Sequence, residues 1–367
     1  MKKSFLLILR LIFDIFGNVF TTKKIILISE GANWVINEEC KNIKKFLKIS
    51  KNIEAKISIT PAGAKNKLIH FMSVNTYLGK SGIRDKENIL YNIHPSNKIL
   101  LTWFHIIDDD DRIKFIPNLN SAVEYVHTAS TITKKKLISH GLNENKIILI
   151  PLGVDLEIFS PVSEKQKEHL KLELKLPKDK IIIGSFQKDG VGWNEGIQPK
   201  IEKGPDIFCD AVEKISKKIP VHILLTGPAR GYVKRRLEKN KITYTHKYLD
   251  KYEDIVPYYQ VLDIYLMCSR EEGGPKSILE SMATGIPIIA TSVGMVPEVI
   301  ENRANGIVIP LKNTALIAEG ALEILRNNNF KNKLIKNSLL KIIRFDLNIV
   351  EQQFYKIYNE LIDIPVK

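Results

Sequence analysis

Short apolar runs alternate with longer amphipathic segments along most of the chain. In the first half, the runs read as buried strands, and the segments between them have helical spacing. Strands are predicted at Lys24–Ser29, Ile53–Ile59, Leu68–Val74, Ile99–Phe104, Tyr125–Thr128 and Ile147–Ile150, with helices at Ile36–Ile49 and Thr131–His140. Alternation of this kind is typical of parallel sheets covered by helices.

The same pattern restarts after residue 179. It predicts strands at Ile181–Phe186, Val221–Thr226, Ile242–Thr245, Asp263–Met267, Ile286–Thr291 and Gly306–Ile309. Helices are predicted at Pro205–Lys217, Tyr232–Asn240, Lys276–Thr284, Ala315–Arg326, Phe330–Ile343 and Ile349–Ile362. Two such series predict an α/β protein with two Rossmann-like domains facing across a cleft, where ligands tend to bind. The last helix is able to cross back to the first domain.

Changes in composition suggest the domain boundaries. Pro151, Pro161 and Pro177 bracket a polar stretch rich in Lys and Glu, of the kind that joins domains. We therefore predict an N-terminal segment at 1–22, a first domain at 23–160, a linker at 161–178, a second domain at 179–345, and a C-terminal helix and tail at 346–367.

The N-terminal segment is apolar but carries polar residues at helical spacing. On a helix, Arg10, Asp14, Asn18 and Thr21 would form one narrow polar stripe. The two charges interrupt any transmembrane span or secretory signal, and no small-residue cleavage site follows. Two interpretations stay open: a helix lying in a membrane interface, or a helix packed on its own domain.

Composition adds a strong positive charge. The formal net charge of +14 favours an anionic partner such as an acidic membrane surface or a phosphorylated substrate, although lysine is spread along the whole chain. No nucleic-acid module pattern is present, so nucleic acid is not an expected partner. The three cysteines have no metal-binding or disulfide spacing. We expect a cytoplasmic protein, with peripheral placement on the inner face of the plasma membrane left open.

Residues 269–294, SREEGGPKSILESMATGIPIIATSVG, hold the clearest candidate chemistry. A buried strand leads into Glu272, and Gly273 and Gly274 leave room for a ligand to approach the backbone. Pro275 then suits the first turn of a helix. That helix would expose the amides of Lys276, Ser277 and Ile278, which form a phosphate site, and Glu280 lies one turn further along. This single element could therefore offer its amides to a diphosphate. Glu272 and Glu280 could then each offer a carboxylate to the group on one side of that diphosphate.

Glu272 and Glu280, with GGPKSIL between them, resemble the E-x7-E signature of family 4 retaining glycosyltransferases, which have the GT-B fold. The following MATGIPIIATSVGMVPEVI is similar to the same family. The resemblance implies sugar transfer from a nucleotide-sugar donor to a hydroxyl, in cell-surface polysaccharide, lipopolysaccharide or glycolipid synthesis. It also implies that Glu280 binds the ribose hydroxyls and that Glu272 contacts the donor sugar. The donor would be held by the second domain, with the acceptor on the side of the first.

Further residues are assigned by the same resemblance. Lys203-Gly204-Pro205-Asp206 is similar to the family's K-G-x-D, whose lysine neutralises the donor diphosphate. The family commonly has an arginine after the glycine that Gly184 matches; here Lys188 is the candidate for that second charge. Gly31 would lie near the donor phosphate or the acceptor. His105 would orient the donor sugar or handle a proton.

No metal or cofactor is expected, since the resemblance implies that the leaving diphosphate is stabilised by protein charges. The acids at 108–111 are interpreted as a solvated loop or a helix N-terminus, and a metal-binding DxD is not expected there. The expected partners are a nucleotide-sugar donor, a lipid-linked or saccharide acceptor, and an anionic membrane surface. Two alternatives remain: a GT-B enzyme of other chemistry, such as an epimerase or phosphorylase, or a catalytically silent, membrane-associated nucleotide-sugar binder. A dinucleotide oxidoreductase is disfavoured because no G-x-G-x-x-G follows the first strand of either domain.

Overall fold

The strands predicted from the alternating pattern all form, with small shifts at their ends. A computed structural model of the protein describes residues 2–31, 35–78, 93–107 and 110–362, with side chains from Leu6 onward. The chain divides into two units. Unit 1 comprises Met1–Pro151 together with Leu347–Lys367, and unit 2 is Leu152–Asp346.

Unit 1 is built on a six-stranded parallel sheet. Its strands are β1 (Ile25–Ile28), β2 (Ala55–Ser58), β3 (Leu68–Phe71), β4 (Lys98–Thr102), β5 (Tyr125–Thr128) and β6 (Ile147–Leu149). Its first helices are α1 (Lys2–Phe20), α2 (Val35–Lys51), α3 (Val74–Leu78), α4 (Leu119–Ala122) and α5 (Thr131–Ser139). The strand order is β2-β1-β3-β4-β5-β6, so apolar strand residues lie between two helical layers.

Unit 2 repeats the architecture with a second six-stranded parallel sheet. Its strands are β7 (Ile181–Phe186), β8 (Val221–Thr226), β9 (Thr243–Lys247), β10 (Ile264–Met267), β11 (Ile288–Thr291) and β12 (Ile307–Ile309). Its helices are α6 (Glu164–Glu173), α7 (Pro205–Ser216), α8 (Gly231–Lys239), α9 (Val256–Gln260), α10 (Lys276–Ala283), α11 (Val296–Val299), α12 (Thr314–Arg326) and α13 (Asn328–Ile342). The order is β12-β11-β10-β7-β8-β9, which is the Rossmann order. The two-domain α/β prediction is therefore confirmed.

The last helix, α14 (Leu347–Ile362), returns to unit 1 and packs on α2. A buried chain of hydrogen bonds fixes it there: the Tyr358 hydroxyl lies 2.6 Å from His70 Nδ1, and His70 Nε2 lies 2.8 Å from Thr102 Oγ1. The predicted return of this helix to the first domain is therefore seen. The last residues of the predicted tail, 363–367, lie outside the described part of the chain.

The structure differs from the predicted linker at 161–178, because α6 occupies most of it. Ser163 and Gln166 form a capping box at the start of this helix. Lys167 Nζ then donates to the carbonyl of Leu262 at 2.7 Å and to Asp263 Oδ1 at 2.9 Å. The segment is therefore part of unit 2, which begins at Leu152. The segment is polar because α6 exposes one face to solvent.

None of the helices in the described part of the chain is long and apolar enough to cross a membrane.

Candidate functional site

The candidate residues of unit 2 gather where its strand order reverses. Strands β7 and β10 are adjacent and parallel, yet the chain leaves them in opposite directions across the sheet. Gln187 directly follows β7, and Ser269 lies two residues beyond β10. The carboxyl ends of two such strands form the crevice in which open α/β sheets bind ligands.

Lys203 and Glu272 form an ion pair at this edge. Lys203 Nζ lies 2.7 Å from Glu272 Oε1, and the same oxygen accepts a hydrogen bond from Ser269 Oγ at 2.8 Å. Gln187 Nε2 donates to the carbonyl of Lys203 at 2.9 Å, which fixes the lysine backbone from the side of β7. The lysine side chain is 25% exposed and the glutamate 12%. A cation within reach of solvent is therefore held beside a carboxylate, an arrangement suited to an anionic ligand that also carries hydroxyls.

Backbone contacts fix the loop that carries Lys203. Gly204 has the left-handed φ of +62°, and a Cβ on it would lie 1.9 Å from the carbonyl oxygen of Cys268, just past the end of β10. No other residue fits there without moving one of the two loops. The close approach of these backbones brings Lys203 to Glu272.

A second clamp joins the same two loops. The amides of Arg270 and Glu271 donate to the carbonyl of Glu202 at 2.7 and 3.1 Å. The Arg270 guanidinium binds both carboxylate oxygens of Asp206, at 2.8 and 2.5 Å. These hydrogen bonds lower the pKa of Asp206. Asp206, the last residue of the K-G-x-D motif, is thus a structural anchor for the lysine.

The start of α10 differs in two particulars from its prediction. Pro275 caps the helix instead of occupying its first turn, and Lys276 is the first helical residue. The amide of Ile278 donates to the carbonyl of Pro275 at 3.2 Å, so it is already used within the turn. Of the predicted phosphate-binding amides, those of Lys276 and Ser277 remain at the helix N-terminus. The Lys276 side chain is buried, with Nζ 5.3 Å from the centre of the Tyr252 ring.

The loop that follows β11 packs against the Gly273-Gly274 turn before α10. The amide of Met295 donates to the carbonyl of Gly273 at 3.0 Å. A Cβ at Gly294 would lie 2.5 Å from that same oxygen. Gly294 therefore allows the loop after β11 to support the Gly273-Gly274 turn, which explains the glycine at the end of the 269–294 stretch.

Glu280 lies inside unit 2, where its two carboxylate oxygens accept hydrogen bonds from Tyr252 and, at 2.7 Å, from Tyr259. Burial and the nearby carboxylate raise the pKa of Tyr259 well above its usual value. Each carboxylate oxygen has two lone pairs, so a ligand hydroxyl would share Glu280 with these tyrosines.

Lys188 lies two residues beyond β7, with Nζ 4.3 Å from the centre of the exposed Trp193 ring. Burial, and secondarily the charge of Lys200, lower the pKa of Lys188. The segment 190–200 that carries Trp193 is held to the start of α8, where the amides of Gly231 and Tyr232 donate to the carbonyls of Glu195 and Gly196 at 2.7 and 2.9 Å. The insert therefore places an exposed aromatic ring beside Lys188.

Gly31 and His105 belong to unit 1. Gly31 follows β1 with φ +74°, and Arg10 Nη1 of α1 lies 3.5 Å from its carbonyl oxygen. His105 is partly buried beyond β4, and its carbonyl accepts a hydrogen bond from Trp103 Nε1 at 3.0 Å. The other candidates named above lie in unit 2. Of the acids at 108–111, residues 108 and 109 lie outside the described part of the chain.

Several polar residues at this edge were not identified from the sequence. Gln187 and Ser269 each follow a strand, so the strand order alone would have placed them together. Tyr252, Tyr259 and Arg270 carry no comparable pattern, because their partners lie on distant segments. Among the residues that the structure describes, no group of three or more His, Cys, Asp or Glu side chains could hold a metal ion.

Comparison with known proteins finds a family that the second unit resembles. The profile of the family described as "Glycosyl transferases group 1" matches residues 196–327, which include Lys203, Glu272 and Glu280. A Campylobacter jejuni N,N'-diacetylbacillosaminyl-diphospho-undecaprenol alpha-1,3-N-acetylgalactosaminyltransferase is 28% identical over 60% of this chain and 56% of its own length. The chain thus spans little more than half of this relative. A Bacillus anthracis N-acetyl-alpha-D-glucosaminyl L-malate synthase is 21% identical over 79% of this chain and 72% of its own.

Solved structures share the fold over nearly the whole chain. A Rickettsia africae glycosyltransferase superimposes with a TM-score of 0.68 at 19% identity, covering 94% of this chain and 100% of that one. Anabaena HepE, solved in complex with UDP and glucose, gives a TM-score of 0.72 at 16% identity, covering 92% and 100%. The family profile and the curated relatives therefore show that this chain is similar to group 1 glycosyltransferases over residues that include most of unit 2 and its candidate site, and the solved structures show that it shares the GT-B fold.

Proposed function

We propose that the protein transfers a sugar from a nucleotide-sugar donor, bound by unit 2, to a hydroxyl of an acceptor, with retention of the anomeric configuration. The observation that carries the proposal is the Lys203–Glu272 pair at the strand-order reversal, which joins the loop that leads into α7 to the loop that leads into α10. A diphosphate suits this position because the lysine and the helix N-terminus both attract negative charge. A sugar suits it because a carboxylate lies next to that charge.

Donor binding would break the ion pair between Lys203 and Glu272. A diphosphate competes with Glu272 for the Lys203 amine. When the lysine turns to the phosphate, Glu272 keeps its hydrogen bond from Ser269, and its carboxylate can also accept hydrogen bonds from the sugar hydroxyls. As the sugar–phosphate bond breaks, charge grows on the leaving diphosphate. Lys203, with Lys188 nearby on the same sheet edge, would stabilise that charge, and we assign this role to these lysines without a metal.

The remaining steps follow from the same charges. Loss of the diphosphate makes the anomeric carbon oxocarbenium-like. The acceptor hydroxyl attacks from the side of the leaving group, forming the new glycosidic bond, and its proton passes to the departing phosphate. Glu272 positions and electrostatically supports the sugar and is not assigned as a covalent nucleophile. His105 of unit 1 is proposed to orient the donor sugar or handle a proton.

The donor nucleoside is proposed to extend along α10. The Gly273-Gly274 turn allows the diphosphate to approach the backbone, and the amides of Lys276 and Ser277 face its oxygens. Glu280 would accept hydrogen bonds from the ribose hydroxyls, sharing its carboxylate with Tyr252 and Tyr259. Gly31, at the end of β1, is proposed to lie near the donor phosphate or the acceptor.

The relatives support this assignment and suggest an acceptor class. The Campylobacter protein is named for transfer to a diphospho-undecaprenol-linked sugar, and the Anabaena protein was solved with UDP and glucose. We therefore propose a lipid-linked or saccharide acceptor, in cell-surface polysaccharide, lipopolysaccharide or glycolipid synthesis. The reaction would take place in the cytoplasm or at the inner face of the plasma membrane.

The test is product analysis of the wild-type protein with nucleotide sugars and lipid-linked or saccharide acceptors. NMR of the product should show a glycosidic bond with the anomeric configuration of the donor, together with released nucleoside diphosphate. An inverted product would contradict retention. An epimerised donor or a sugar phosphate would instead identify a GT-B enzyme of other chemistry. Binding without any turnover would identify a silent binder.

A further inference from the structure

Helix α1 contacts unit 1 through its polar side. Asp14 Oδ2 accepts a hydrogen bond from the amide of Ile59 at 2.9 Å. Asn18 Nδ2 donates to the carbonyls of Thr60 and Ala62 at 2.8 and 3.0 Å. The polar stripe expected from the sequence is therefore the side of the helix that faces the protein.

The contact is close as well as polar. Lys56 Nζ donates to the carbonyl of Asp14 at 3.0 Å and to Asn18 Oδ1 at 2.7 Å. A Cβ at Gly63, which has φ +82°, would lie 2.8 Å from the carbonyl oxygen of Ile15, so the helix rests directly on this turn. Leu11, one turn before Asp14 and Ile15, is buried on the same side. These contacts fix the rotation of the helix about its axis.

The opposite side of α1 presents large apolar side chains to solvent. Phe13 is 76% exposed, Phe16 61% and Phe20 77%. The exposed apolar residues on this side of the helix, here called the outer face, are Leu6, Ile8, Leu9, Ile12, Phe13, Phe16, Val19 and Phe20. An apolar surface of this extent is costly to leave in water and marks a site of interaction. Because Asp14 and Asn18 are bound to unit 1, the helix cannot turn this face inward without losing those hydrogen bonds.

Positive charges gather at the C-terminal end of α1. Lys23, Lys44 and Lys48 line one small hollow there, together with Glu54, which pairs with Lys23 at 3.3 Å. Lys67 Nζ donates to the carbonyl of Thr21 at 2.9 Å. A second copy of this chain would bring the same lysines and a net charge of +14 to the contact. An anionic lipid surface complements both the apolar residues and the lysines.

We propose that α1 docks the protein on an anionic lipid bilayer, with the outer face inserted at the boundary between headgroups and acyl chains and the helix lying in the plane of the membrane. The docking surface lies in unit 1 and is separate from the donor site of unit 2. Arg10 of the same helix reaches the carbonyl of Gly31 at the end of β1.

The test is flotation of the full-length protein with vesicles of phosphatidylcholine, alone or mixed with phosphatidylglycerol. Wild type should float with the mixed vesicles. The double variant F13S/F16S should lose about tenfold or more of its partitioning, since apolar insertion supplies much of the binding. The matched control L340S/I343S removes two apolar residues of similar exposure from unit 2 and should float as wild type does.

A charge variant separates the two contributions. K44Q/K48Q should weaken binding to mixed vesicles several-fold, with little change on pure phosphatidylcholine, and added salt should reduce the difference. Nucleoside diphosphate binding, measured by calorimetry on F13S/F16S, should equal that of wild type. Loss of flotation can then be distinguished from failure of the proposed donor site.

Three results would overturn the proposal. Failure of the wild-type protein to float with anionic vesicles would show that α1 does not dock on lipid. Flotation of F13S/F16S equal to wild type would place the lipid contact elsewhere. A wild-type dimer that F13S/F16S converts to a monomer, with no vesicle binding by either, would assign the outer face to a second copy of the chain.

Discussion

Gly204 is the residue whose identity most tightly constrains the candidate site. Its left-handed backbone lets the loop of Lys203 approach the carbonyl of Cys268, where a Cβ would lie only 1.9 Å from the oxygen. Gly192 has a comparable φ of +77°, but a Cβ there would meet no atom within 4 Å. Substitution of both glycines by alanine therefore separates the cost of backbone strain, which the two positions share, from the cost of steric overlap, which only Gly204 has.

We predict that Gly204→Ala lowers the free energy of unfolding clearly more than Gly192→Ala does. Each substitution costs about 1 kcal/mol for the left-handed backbone. The overlap at Gly204 should bring its total to about 3 kcal/mol. Urea denaturation of both variants measures the difference. Equal losses would mean that the two loops separate easily and that Gly204 does not fix Lys203.

At the scale of elements, a directional hydrogen-bond chain fastens α14 to the sheet of unit 1. The carbonyl of Ile150 only accepts, so His127 Nε2, at 2.8 Å, carries a hydrogen. His127 Nδ1 then accepts from Thr102 Oγ1 at 2.9 Å, which in turn accepts from His70 Nε2 at 2.8 Å. His70 Nδ1 accepts from the Tyr358 hydroxyl at 2.6 Å. Neither imidazole can take a second proton without breaking this chain.

The same chain predicts that the protein loses stability in mild acid. Burial lowers the pKa of His127 from 6.5 to about 4, and burial also lowers the pKa of His70 well below its usual value. Unfolded histidines take up protons as the pH falls below 6.5, whereas these two stay neutral in the folded protein. Unfolding is therefore favoured as the pH falls from 6.5 towards 4, and His127 alone should account for about 2 kcal/mol between pH 7 and pH 5.

Urea denaturation at pH 7 and pH 5 measures this loss. An unfolding free energy that is the same at both pH values would show that the buried histidines do not remain neutral in the folded state.

At the scale of the whole molecule, the sequence predicted the two sheets because their strands are compact apolar runs with turn residues at their ends. The bounds of β7 and β8 were predicted residue for residue. Helix α6 was missed because ten residues with a wide charged face resemble a linker in composition. The buried contacts of Lys167 with Leu262 and Asp263, which distinguish the two cases, join segments far apart in the chain.

Most residues of the candidate site could be predicted from the sequence, but the contacts between them could not. The motif and its family resemblance pointed to Lys203, Glu272 and Glu280, but the pairing of Lys203 with Glu272 depends on the order of β7 and β10 in the sheet. The tyrosines on Glu280 had no counterpart in the motif. The orientation of α1, with its polar stripe facing unit 1, could not be predicted from the spacing of its residues. A polar stripe on an apolar helix is compatible with either side facing the protein.

The most direct test of the central claim is calorimetric titration of nucleoside diphosphates into wild type, Lys203→Ala and Lys217→Ala. Lys217 is an exposed lysine at the end of α7, in the same unit. We predict that one of the uridine, guanosine and adenosine diphosphates binds wild type and Lys217→Ala equally, and that Lys203→Ala weakens it by about 2 kcal/mol through loss of a charged contact. Equal affinity in all three proteins, or no binding to wild type, would contradict a donor diphosphate at Lys203.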